Sequence, residues 1–86
     1  MVKIILLRNG SLTDYLIGKI TEMDEEPVYL VEECYRILDG KLEAYPKYAA
    51  QRDLFLTSES VFTIVEPSKQ ILGEYQKTNV LSLIHI

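Results

Sequence analysis

Val2-Lys3-Ile4-Ile5-Leu6-Leu7-Arg8-Asn9-Gly10-Ser11-Leu12-Thr13-Asp14-Tyr15-Leu16-Ile17-Gly18-Lys19-Ile20-Thr21-Glu22-Met23, followed by Asp24-Glu25-Glu26-Pro27 and then Val28 to Ile37, decides the fold. Val2 to Leu7 is apolar apart from Lys3, which suits a strand covered on much of both faces. Asn9-Gly10-Ser11 breaks it, because Asn and Gly accept the positive φ of a reversal. From Tyr15 to Met23 a second strand puts Tyr15, Ile17, Lys19, Thr21 and Met23 on one face and Leu16, Gly18, Ile20 and Glu22 on the other. A glycine inside a strand weakens it unless it serves a sharp bend or a close backbone approach, so Gly18 marks one or the other. The acidic run Asp24-Glu25-Glu26-Pro27 is a turn, and Val28 to Ile37 is the third strand of a strongly bent meander.

Working outward, Asp39-Gly40 is a hairpin signal. Leu42 to Tyr48 reads as a weaker strand that Pro46 demotes to an edge, and Leu54-Phe55-Leu56 can continue the sheet. Val61 to Val65 is a further strand. Pro67-Ser68 then introduces a short helix to about Lys77, with Ser68 as cap and Ile71, Leu72 and Tyr75 as its apolar stripe. Asn79 is able to end it. The expected fold is mainly β: a small five-stranded, strongly bent antiparallel sheet with a short C-terminal helix, forming one domain over residues 1–78. Residues 79–86 are an apolar tail, compatible with an extra edge strand, an interface element or an incorrect end of the reading frame, and are assigned no function.

A monomer of 86 residues has a marginal core, and with 48% hydrophobic residues some apolar surface is expected to lie between subunits. A net charge of −4 argues against nucleic-acid binding by bulk electrostatics. One cysteine excludes an internal disulfide and fits a reducing compartment. Neither a leader pattern nor an apolar run near the roughly 18 residues of a membrane span is read from the sequence, so a cytoplasmic location is expected.

No catalytic constellation can be assembled, and no enzyme, cofactor or metal site is expected. His85 stands alone in the tail, where an incidental role outweighs that of a general base. Cys34 has apolar neighbours and reads as a small buried hydrophobe rather than a reactive thiol. Asp24-Glu25-Glu26 lacks the spaced oxygens of a calcium loop and reads as a solvated turn. The segment Lys41 to Arg52 holds Lys41, Lys47 and Arg52 against Glu43 alone, interleaved with Tyr45 and Tyr48. Cations for phosphates and rings for bases are what single-stranded nucleic acid uses, so Lys47, Tyr48 and Arg52 are the candidate contacts. The competing reading is an exposed hairpin whose tyrosines pack on the sheet or on a neighbouring subunit.

Leu6-Leu7-Arg8-Asn9-Gly10, then Ile17-Gly18-Lys19-Ile20, then Asp24 six residues after that glycine, resembles the first motif of the Sm-like (LSm) fold family. The layout is most similar to small phage-type Sm-like proteins, with Glu66-Pro67-Ser68 placed before the C-terminal helix. The resemblance covers about the first 37 residues and rests on Gly10, Gly18 and Asp24. It implies an open barrel, edge-to-edge pairing of copies into a ring of about five to seven, and RNA binding in the cytoplasm, that of a host cell if phage-encoded. The sequence departs from the family between Gly10 and Gly18, where it is longer. Pro27 and Val28 stand where RNA-binding members carry a base-holding Met-Asn pair, and Ser58-Glu59-Ser60 replaces the Arg-Gly before the last strand. The family's uridine pocket is therefore not carried over, and Asp24 reads as a turn former. Two functions remain: a ring that binds RNA through the Lys47/Tyr48/Arg52 surface, or a structural or protein-interaction module with no nucleic-acid role.

Overall fold

The computed structural model describes residues 1–84. Strands β1 (Val2–Asn9), β2 (Leu12–Glu22) and β3 (Tyr29–Leu38) form the antiparallel meander. β4 (Lys41–Ala44), β5 (Leu54–Leu56) and β6 (Val61–Val65) complete one sheet, and α1 (Lys69–Ile84) follows. The order across the sheet is β4-β3-β2-β1-β6. β4 pairs with Tyr35 to Leu38 and β5 with Tyr29 to Val31 of the same β3, so six strands make a sheet five strands wide. The mainly β architecture with a C-terminal helix is the expected one, and the sheet does not close into a barrel.

Turn chemistry sets the two tight hairpins. Gly10 has φ +64°, and Asp39 and Gly40 have φ +52° and +75°, the paired positive values that suit a two-residue hairpin between right-twisted strands. The wider turn at residues 23–28 is closed by the Met23 amide donating to the Val28 carbonyl at 2.6 Å. Asp24, Glu25 and Glu26 are exposed there, and the Glu26 carboxylate accepts from the Ser58 amide.

The bend comes at Gly18. Ile17 pairs with Tyr35 but Lys19 pairs with Glu32, so Glu33 and Cys34 together oppose one residue of β2. This is a β-bulge, which bends a strand and increases its twist. Glu33 takes φ +53° to make it.

The bend folds the sheet over itself and gives it two apolar faces with different covers. On the inner face Ile5, Leu7, Leu16, Val31, Cys34 and Leu56 are buried against one another, with Ile20, Tyr45, Leu54, Val61 and Ile64 around them. Among the described residues this cluster is built from the strands and from Tyr45 of the loop after β4. On the outer face Ile17 and Tyr35 are buried under α1, which contributes Tyr75 and Ile71. Fully burying an aliphatic or aromatic side chain is worth about 1.5–3 kcal/mol, so either cluster is large against the stability of a small domain.

Ser68 caps the helix, its Oγ accepting from the Ile71 amide at 3.3 Å. The helix does not stop near Lys77 as the sequence suggests. Ile71, Tyr75 and Asn79 are four residues apart and lie along the line that faces the sheet. There Asn79 Nδ2 donates to Glu33 at 2.8 Å, and its Oδ1 accepts from the Tyr35 hydroxyl at 3.4 Å. A residue able to end a helix is instead held within one by side-chain partners on β3. Val80 to Ile84 are helical, not an edge strand. His85 lies outside the described residues.

Candidate functional site

The loop between β4 and β5 carries the residues singled out for nucleic acid, and it splits them. Tyr45, at its start, packs against the inner core. Tyr48 is 98% exposed at φ +68°, a left-handed conformation that side chains other than Gly, Asn and Asp seldom adopt. The Lys47 ammonium lies 5.7 Å from the Tyr48 ring centroid, so these two form one exposed cation and aromatic pair. Arg52 turns the other way. It is half-buried, its guanidinium lies 4.8 Å over the Tyr35 ring, and its carbonyl accepts from the Cys34 amide at 3.1 Å. Arg52 thus pins the loop to β3, while Lys47 and Tyr48 stand out from it.

Beside this anchor a polar network joins β2, β3 and α1. Lys19 Nζ is 2.8 Å from Glu33 Oε2, Asn79 donates to the same carboxylate, and the Tyr75 hydroxyl donates to the Glu33 carbonyl at 2.8 Å. The hydrogen bond from Lys19, more than that from Asn79, holds the Glu33 carboxyl below the ordinary glutamate value against the opposing effect of burial. Burial pushes the Tyr75 phenol up, and the two tyrosine rings meet edge to face at 5.7 Å. Burial likewise pushes the Cys34 thiol up to about 12, with Arg52 a smaller opposing influence. Cys34 is therefore a protonated core residue at neutral pH, unfit as a nucleophile.

The positions of the first-strand motif fall in three different settings. Gly10 is in the β1–β2 turn, Gly18 at the bulge, and Asp24 exposed in the β2–β3 turn.

The remaining feature is the pair of sheet edges. Beside β4, which also pairs only with β3, the strands open on one side among the described residues are β6, paired with β1, and β5, paired with β3. Both strands point apolar residues inward, Val61 and Ile64 from β6 and Leu54 and Leu56 from β5. Both also expose a phenylalanine, Phe62 at 60% and Phe55 at 59%. Sequence reading missed these edges as a site. The Leu-Phe-Leu alternation was the available signal, but which strand ends unpaired depends on the bend.

A model of a family of unknown function, DUF6561, matches residues 1–80. The chain belongs to that family. A search of curated proteins finds no match. The DUF6561 match takes in the whole sheet, both of its open edges, the loop bearing Tyr48 and the sheet-facing line of α1 as far as Asn79. Among the described residues no helix is long and apolar enough to cross a membrane.

Proposed function

We propose that this chain is an Sm-like assembly module whose copies join edge to edge into a closed ring of about five to seven. The single observation that supports this reading is the pair of open edges, β6 at one end of the sheet and β5, beside β4 along β3, at the other. An exposed edge presents free N–H and C=O groups and is a liability unless something pairs with it. The two edges differ, so pairing one with the other is head to tail, and head-to-tail contacts that close give rings. Pairing β6 of one copy with β5 of the next continues the sheet and its inner apolar face across the junction. The ring acts as a structural or protein-interaction scaffold, phage-type in its layout, in a reducing cytoplasm that suits the lone thiol Cys34. Sedimentation equilibrium across a dilution series tests it. A closed oligomer of fixed subunit number supports the reading, and a monomer at every concentration contradicts it.

RNA binding is a second reading, favoured by one observation. Tyr48 and Lys47 form an exposed aromatic and cation pair, the kind of platform single strands stack on. The net charge of −4 per copy opposes it, since a ring of five carries about −20. If RNA binds there, affinity falls steeply with salt, and Lys47→Ala with Tyr48→Ala weakens binding by about tenfold or more. Equal binding by the wild type and the double variant overturns this surface.

A further inference from the structure

From the side chains at the two open edges we infer that the junction between copies is made on the outer face of the sheet by Arg8 and Phe62 of one copy against Phe55 and Asp53 of the next. This deepens the edge-assembly reading and rests on it.

Phe62 is the extra residue of a bulge in β6, because Leu6 pairs with Thr63 while Leu7 pairs with Val61. The bulge leaves its ring at the surface, where the exposed Arg8 guanidinium lies 5.3 Å over it. Arg8 has no ion-pair partner within the chain among the described residues. On the opposite edge Phe55 pairs with Leu30, on the face away from the inner core. Asp53 is exposed two residues before it, with one carboxylate oxygen accepting from the Glu33 amide at 3.1 Å. One edge therefore presents a base on an aromatic ring, and the other an acid beside an aromatic ring. The inner faces of both strands are occupied by core side chains, so when β6 is laid along β5 the outer aromatics fall on the same side of the extended sheet. There each ring covers the other, and Arg8 faces Asp53. Two copies of the same edge would set like charges together, which accounts for head-to-tail joining over a symmetric dimer.

The test is a charge exchange in the full chain, read as the assembly constant from sedimentation. Arg8→Asp alone and Asp53→Arg alone should each weaken assembly by about tenfold or more, and the double variant should return to within about threefold of wild type. Asp53→Asn keeps the oxygen that the Glu33 amide needs and removes the charge. In that background Arg8→Asp should cost about threefold at most, because no like-charge pair is created. A full tenfold loss there, or single variants that assemble as wild type does, overturns this junction while leaving edge assembly standing. A wild-type chain that stays monomeric overturns both.

Discussion

A methyl group added at residue 18 would lie 2.7 Å from Val31 Cγ1 and 3.0 Å from the Glu32 carbonyl oxygen. Neither can retreat easily, since Val31 is fully buried and the carbonyl belongs to the bulged strand. Gly18→Ala is expected to destabilise the fold by about 1–3 kcal/mol, the usual cost of forcing an extra methyl into a packed site. Urea unfolding checks it, and a change within about 0.5 kcal/mol would show that the bulge relaxes around the methyl. At this scale the sequence was informative where the cause is local. A glycine inside an otherwise good strand announced a bend or close approach, and Asp39-Gly40 announced a hairpin. Glu33 at φ +53° gave no such signal, because its conformation follows from two residues of β3 facing one of β2. Arg52 was grouped with Lys47 and Tyr48 by proximity in sequence. Its ring partner Tyr35 is seventeen positions away, beyond the reach of a local pattern.

Helix α1 is fastened to the sheet by apolar contacts of Ile71 and Tyr75 and by the polar network around Glu33. Of the expected stripe of Ile71, Leu72 and Tyr75, Ile71 and Tyr75 pack on the sheet, four residues apart as their spacing indicates. The continuation through Asn79 was not legible, because what holds Asn79 helical is the side chains of Tyr35 and Glu33 on β3. This element has a pH signature. A carboxyl depressed in the folded state contributes stability that is complete above its unfolded value and is lost as pH falls through its folded value. Glu33 is such a group. Lowering the pH from neutrality into the range below the ordinary glutamate value should therefore weaken the fold, and Glu33→Gln should flatten that part of the profile. Thermal melts of the two proteins across the acid range make the comparison, with an equally steep fall in Glu33→Gln as the contrary result.

For the whole molecule, bend and open edges belong together. The bulge at Gly18 turns the sheet onto its own inner core, yet the strands do not close, and two dissimilar edges face outward. The meander and the helix were readable from alternation and turn residues, whereas the expected five strands are six, because β4 and β5 lie one after the other along β3. The edges were not readable, because an edge is defined by the absence of a neighbour once all pairings are made. The proposed assembly would pair these edges and cover the apolar side chains exposed beside them, Phe62 and Phe55. Native mass spectrometry of protein purified without nuclease treatment tests this claim most directly, because it reports subunit number and retained nucleic acid together. One closed oligomer of about five to seven copies is expected, with bound RNA as the mark of the Lys47–Tyr48 reading. A bare monomer of 9.9 kDa at all concentrations would contradict it.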